Sequence, residues 1–386
     1  MQEETKAQIL IVSAEPSSNL YAERLMESFS ERKIKVDFFG IGNQKMVDLG
    51  LDAQGRAEDM AVMGLVEVLK HYKDIKKVYN QILIEAKNRK PAVAVLMDYA
   101  EFNLKLAGDL HKIGVKVVFY ISPQIWAWRS SRVKKINKTV DRMLCIFPFE
   151  ESFYKKHSMK TEFVGHPLLA EISADLVDPK VIDLQKKRRG IGGKKVLGIM
   201  PGSRRSEIEL NLATQLEAAK LVKQKYSDVV LMLLVAPGLD LDEVRAKVPE
   251  DYPEYMIVQD EPKKMISLID FALTASGTAT LMTGLLQKPM VVMYKMKSLT
   301  AFIARRLISD SNPFFAMINL IFEKELMPER FQEAANPKAL AQLIEENFLD
   351  TEKYMSLKSE LELLPDKLGQ GNATDSVVKI LKEYLN

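Results

Sequence analysis

Short apolar runs alternate with amphipathic stretches along almost the whole chain. Residues 8–13, 36–40, 92–98, 115–121, 142–146 and 161–164 are runs of the length and β-branched content expected of buried strands. Between them, residues 20–32, 63–87, 103–112 and 130–138 repeat apolar positions at helical spacing. Continuous rather than alternating apolar strands, separated by helices, are the mark of a parallel sheet covered on both faces. Polarity rises and periodicity fades between Asp175 and Lys195, and the rhythm then restarts with strands at 196–200, 229–236, 255–258, 271–275 and 290–294. Helical patterns at 337–347, 353–363 and 373–384 close the chain. The pattern predicts an α/β protein of two doubly wound domains, residues 1–175 and 190–350. Helices in 351–386 are expected to pack back on the first domain or on a partner subunit.

A length of 386 residues suits two domains of ordinary size, and 47% hydrophobic with 28% charged residues describes a globular chain. A net charge of +3 is too small to point to nucleic acid. With Cys145 as the one cysteine there is no internal disulfide. The apolar run at 9–12 is far shorter than a signal-peptide core, and nothing approaches the roughly 18 apolar residues of a membrane span, so a cytoplasmic location is expected. Two stretches, 63–77 and 296–308, combine apolar faces with lysine and arginine edges. Such faces either pack on the protein's own core or lie on an anionic membrane.

The candidate chemistry sits where strands end. Leu197-Gly-Ile-Met-Pro-Gly-Ser-Arg-Arg205 reads as a strand, a tight turn at Gly202 and Ser203, and a helix start carrying Arg204. Free amides at a helix start beside a fixed cation suit a phosphate. Ala275-Ser-Gly-Thr-Ala279 is a second corner of this kind, in which Ser276, Gly277 and Thr278 permit close approach of an anion. Each alone is equally an ordinary capped turn. Two at strand ends in one α/β domain suggest a nucleotide diphosphate.

In the first domain a buried run ends on Asp98, where partial burial would raise the carboxyl towards a useful general-base range, although a helix cap needs the same residue type. Glu15 follows the first strand in the same way. Ser122-Pro-Gln-Ile-Trp-Ala-Trp-Arg129 sets Trp126 and Arg129 close together, a pairing suited to a sugar ring or to packing. His166 ends a strand before the domain boundary, a place suited to an interdomain hydrogen bond. The four histidines are scattered and share no ligand spacing with Cys145, so neither a metal nor another cofactor is expected.

With those residues in place, the chain resembles the lipid A disaccharide synthase family of inverting GT-B glycosyltransferases over nearly its whole length. The resemblance rests on Met60-Ala-Val-Met-Gly-Leu-Val-Glu-Val-Leu69, Ser122-Pro-Gln-Ile-Trp-Ala-Trp-Arg129, Phe147-Pro-Phe-Glu150, Phe163-Val-Gly-His-Pro167, Pro201-Gly-Ser-Arg204 and Ala275-Ser-Gly-Thr-Ala279, in family order. It implies two Rossmann-like domains facing across a cleft. It also implies transfer of 2,3-diacylglucosamine from its UDP conjugate to the 6-hydroxyl of 2,3-diacylglucosamine 1-phosphate, at the inner leaflet of the cytoplasmic membrane. By the same resemblance Asp98 matches the catalytic aspartate, Arg204 and the 276–278 corner hold UDP, and Asn319 belongs to the donor site. A homodimer is compatible with the resemblance.

Two departures bear on activity. The family's first loop, Gly-Glu-x-Ser-Gly-Asp, reads Ala14-Glu15-Pro16-Ser17-Ser18-Asn19 here, keeping Glu15 and Ser17 as pocket candidates but losing two glycines and one acid. The glutamate that the family places after Ser-Gly-Thr to bind the ribose hydroxyls is Met282, which cannot accept their hydrogen bonds; the loss should weaken UDP binding by about 1–3 kcal/mol. A catalytically silent paralogue that binds lipid or nucleotide sugar, and a GT-B UDP-sugar epimerase, therefore stand as alternatives.

Overall fold

The fold follows from short, mostly apolar strands finding parallel partners, and the computed structural model describes residues 6–60, 65–128, 132–296, 314–369 and 372–385. Strands β1 (Ala7–Ser13), β2 (Val36–Gly42), β3 (Leu51–Arg56), β4 (Val93–Met97), β5 (Val117–Tyr120), β6 (Arg142–Cys145) and β7 (Thr161–Phe163) form a seven-stranded sheet in the order β3-β2-β1-β4-β5-β6-β7. All its pairings are parallel. The register of β1 on β4 sets Ser13 against Met97, so the two strands finish level with one another. Every residue of β4 is buried, which is why it reads as an unbroken apolar run.

Strands β8 (Val196–Met200), β9 (Val230–Leu234), β10 (Tyr255–Val258), β11 (Phe271–Ala275), β12 (Met290–Tyr294) and β13 (Glu329–Phe331) form a second parallel sheet, ordered β10-β9-β8-β11-β12-β13. Each sheet has its own core. Leu10, Leu96 and Phe119 lie in the first, and Ile199, Leu233 and Phe271 in the second.

The sequence pattern misses β3 and β13. β3 is polar in sequence and only its first residue is buried, and β13 is a three-residue edge strand of intermediate exposure. The chain divides into two compact units, residues 1–167 with 368–386, and residues 168–367. The division thus falls ahead of the polar run at 175–195. That run contains the helix Pro179–Arg188, capped by Asp178, whose amide-accepting carboxylate bonds Lys180 N at 2.8 Å. The buried Lys186 ammonium anchors the run to the second unit by donating to Asp270 at 2.7 Å and to the Lys194 carbonyl at 3.1 Å. Residues 351–367 stay in the second unit, and only the chain from Leu368 onwards returns to the first. There the helix Ala373–Lys382 packs on the helix Pro16–Glu31.

Candidate functional site

In both units the connections leave the two middle strands towards opposite sides, so the carboxyl ends of β1 and β4, and of β8 and β11, are switch points, the place where open parallel sheets bind ligands. The sequence candidates gather at these two edges.

At the first, Asp98 follows β4 and Glu15 follows β1. Asp98 and Tyr99 are consecutive non-glycine residues in the left-handed region, at φ 49° and 43°. Each such residue costs on the order of 1 kcal/mol and persists only where its surroundings enforce it. Burial first, and then the charge of Glu15, push the Asp98 carboxyl above its usual range, against a hydrogen bond from the Tyr99 backbone that favours the ionised form. The geometry therefore gives a part-buried carboxyl that holds its proton more tightly than usual, within electrostatic reach of a second carboxylate. Ser17 is exposed in the first turn of the helix Pro16–Glu31. The hydroxyl of Ser18, which stands where the family has glycine, donates to the Glu15 carbonyl and accepts from Ser13, each at 2.9 Å. It therefore ties the helix start to the end of β1.

Three further motifs converge at the ends of β5, β6 and β7. Trp126 donates its indole N–H to Glu150 at 3.2 Å and meets Phe149 edge-on, with centroids 4.8 Å apart. Glu150 also accepts from the Phe147 amide at 3.3 Å. It is buried deeply enough that its carboxyl is pushed up to about 7 in spite of these donors. His166 is buried within the first unit, its ring 5.0 Å from that of Phe147 and its amide on the Leu368 carbonyl at 2.9 Å. Burial lowers its imidazole to about 3. Glu150 belongs to Phe147-Pro-Phe-Glu150, a motif of the family resemblance, but was given no place in the site; a carboxylate ending an aromatic run was the available signal. Arg129 lies outside the described residues, as do 63–64 and 297–308 of the two basic stretches.

At the second edge, the turn after β8 passes through Gly202 at φ 129°, where a Cβ would come within 2.4 Å of a Glu207 carboxylate oxygen. That oxygen accepts from the Ser203 amide at 2.8 Å. Arg204 caps the helix Arg205–Lys225 and stays exposed, its guanidinium 3.7 Å from Glu207, a pairing too long and too wet to hold it. Behind the turn, two buried side-chain amides pin it: Asn211 donates to the Pro201 carbonyl at 3.0 Å and Gln215 to the Met200 carbonyl at 3.2 Å. Tyr294, at the end of β12, has its phenol raised by burial and by Glu207, and lowered by Arg204, so it belongs to the same corner.

After β11, the three candidates differ. The Ser276 amide is spent on the Met293 carbonyl at 2.9 Å. Gly277 and Thr278 are exposed at the start of the helix Thr278–Leu285, where first-turn amides have no intrahelical acceptor. Met282 lies one turn along on the same side as Thr278, half-buried. Asn319 is buried, with its amide donating to the Met327 carbonyl at 2.7 Å and accepting from the Met327 amide at 2.8 Å, so both ends of the side chain are used in holding the turn before β13.

Comparison with known proteins shows the family and the fold. The family described as Lipid-A-disaccharide synthetase matches residues 9–378. A lipid-A-disaccharide synthase of Anaeromyxobacter sp. (strain K) is 36% identical over 340 residues, covering 88% of this chain and 87% of the relative. One from Geobacter sulfurreducens is 34% identical over 388 residues, covering 100% and 99%. Among solved structures, a putative UDP-N-acetylglucosamine 2-epimerase from Listeria monocytogenes superposes with a TM-score of 0.65 at 10% identity, covering 98% of this chain and 97% of the other. The glycotransferase of kitacinnamycin does so with a TM-score of 0.64 at 12% identity, covering 99% and 100%. At such identities the structures speak to the GT-B fold, and the sequence relatives to the lineage. This chain belongs to the lipid-A-disaccharide synthetase family.

Proposed function

We propose that the protein transfers 2,3-diacylglucosamine from its UDP conjugate to the 6-hydroxyl of 2,3-diacylglucosamine 1-phosphate, forming the β-1,6-linked disaccharide and releasing UDP. Asp98 removes the acceptor hydroxyl proton as the oxygen attacks the anomeric carbon, and the single displacement inverts that centre. Negative charge grows on the leaving diphosphate. Arg204 and the amides of Gly277 and Thr278, with the roughly half positive charge of their helix start, offset it without calling on a metal. Gly202 and Ser203 give the turn the room and direction this needs.

The observation that carries the reading is Asp98 itself, held in a strained turn with a raised carboxyl at a switch point. Support also comes from relatives of 34–36% identity that carry the synthase name. The silent-paralogue and epimerase alternatives are not favoured, since the epimerase likeness is one of fold at 10% identity.

Trp126 and Arg129 line the acceptor side in this proposal, and the basic stretches at 63–77 and 296–308 seat the protein on the anionic inner leaflet, where both acylated substrates reside. No helix among the described residues is long and apolar enough to cross a membrane. Homodimerisation is compatible with the proposal and is checked by sedimentation.

The test is a two-substrate assay that follows UDP and disaccharide together. Wild type is expected to turn over and Asp98→Ala to lose at least about 1000-fold in kcat. Absence of wild-type turnover beside an active family member overturns the proposal.

A further inference from the structure

Two consecutive left-handed residues without glycine are an unstable way to end a strand, and something has to hold them. The Asp98 amide reaches the Tyr120 carbonyl only at 3.4 Å, and the Tyr99 hydroxyl reaches the Met60 carbonyl at 3.2 Å. The stronger hold comes from the helix that follows. Asn103, with no exposed surface, donates its side-chain amide both to the Met97 carbonyl at 3.1 Å and to the Asp98 carbonyl at 2.8 Å, while its backbone amide takes the Tyr99 carbonyl at 3.0 Å. Among the described residues no donor reaches its Oδ1. A buried side chain that leaves its acceptor unmatched while using both donors on one turn is placed there for the donors.

We propose that Asn103 is a positioning residue for Asp98: its amide locks the peptides on either side of Asp98 in the left-handed turn that presents the carboxylate. The inference rests on the reading of Asp98 as the base. Asn103 itself touches no reacting atom. Its role is distinct from packing because an aspartate of the same shape lacks the two donors, and a leucine of similar volume lacks polarity altogether.

The ionisable groups around the turn are Glu15 at the end of β1, Tyr99 and Glu101 at the start of the helix Ala100–Lys112, and Tyr120 at the end of β5, beside Tyr21 and Arg24. Glu101 is paired with Arg132 at 2.6 Å. In this setting the two substitutions move the base in the same direction to different extents. Asn103→Leu frees the turn and lets the Asp98 carboxyl reach water, so its range falls. Asn103→Asp sets a fully buried carboxyl against the same two carbonyl oxygens; it keeps its proton, offers one donor in place of two and adds no charge, so the range falls less.

The experiment measures kcat, KM and the pH dependence of kcat/KM for Asn103→Leu, Asn103→Asp and Asn103→Ser in the full-length protein, with calorimetric UDP binding as the control on the second unit. Both of the first two should lose roughly 10- to 100-fold in kcat with KM within about threefold, as expected for a misplaced reacting group. The acid limb should move to lower pH in the leucine variant and by a smaller step in the same direction in the aspartate variant, with UDP affinity unchanged. Asn103→Ser keeps one donor and should fall between. Folded variants with wild-type kcat, or a loss of kcat with the limb unmoved, overturn the inference. Should the first two fail to fold, a serine variant with wild-type kcat and limb does so. Asp98→Asn separates the two levels: if it retains turnover the base reading fails, whereas if it is inactive and the Asn103 variants behave as wild type, only the positioning role fails.

Discussion

Glu15 and Asp98 leave adjacent parallel strands at one edge of the first sheet, and burial together with the Glu15 charge holds the Asp98 carboxyl above the ordinary carboxylate range. A base with a raised pKa loses activity as pH falls through that value. Removing the Glu15 charge lowers the Asp98 pKa, so the acid limb of kcat/KM for Glu15→Gln should move to lower pH. At neutral pH the weaker base should lose about two- to tenfold in kcat. A limb that stays in place shows that the two carboxylates are not coupled.

Met282 stands on the same helical side as Thr278, a turn beyond the exposed amides. Met282→Glu restores a bidentate acceptor there. It should tighten UDP binding by about 1–3 kcal/mol, roughly 5- to 150-fold in Kd, by calorimetry. Equal affinity in the two proteins would mean that the ribose is held elsewhere.

The turn at Gly202 has no room for a side chain, because a Cβ would collide with Glu207 and the φ of 129° disfavours one. Gly202→Ala should therefore cost at least about tenfold in UDP affinity by distorting the corner that carries Arg204. Gly238→Ala, placed in open space, is the matched control and should bind UDP as wild type does.

Glu150 and His166 act against each other in the pH dependence of stability. The Glu150 carboxyl, raised from 4.5 to about 7, binds its proton in the folded state before the unfolded one, so its contribution is full below about 4.5 and is lost as pH rises to about 7. The imidazole of His166, lowered from 6.5 to about 3, has the opposite sign: its contribution is present above about 6.5 and is lost as pH falls to about 3. Between about 4.5 and 6.5 the two slopes oppose, each worth up to about 1.4 kcal/mol per pH unit. Glu150→Gln should leave stability rising with pH across that window, and His166→Asn should leave it falling. Urea midpoints from pH 4.5 to 7 measure both, and parallel profiles for the two variants would contradict the assignment.

The parallel strands were legible in sequence because burial on both faces leaves them almost wholly apolar, as in β4 and β8. β3 was not legible, since an edge strand with one buried residue carries no such run. The role of Lys186 was not legible for a related reason. A lysine in a basic run reads as solvated, and only the fold brings Asp270, 84 positions away, to its ammonium. At the site, Asp98 and Gly202 were visible as residue types at strand ends. The spending of Ser276 and Asn319 on backbone partners was not, because both partners, Met293 and Met327, come from other elements. Glu150 needed the convergence of three strand ends to become visible as Trp126's partner.

The return of the chain to the first unit sets the order in which a nascent protein can be completed. The first unit needs Leu368 for the His166 amide, Asp375 for Arg32 at 2.5 Å and Glu383 for Arg142 at 2.7 Å. The ribosome supplies these only after the whole of 168–367 has been made. The part of the protein begun first is therefore the last to be sealed. A synthesis halted near residue 360 would release a chain whose second unit has most of its sequence and whose first unit, Asp98 included, lacks its last helix.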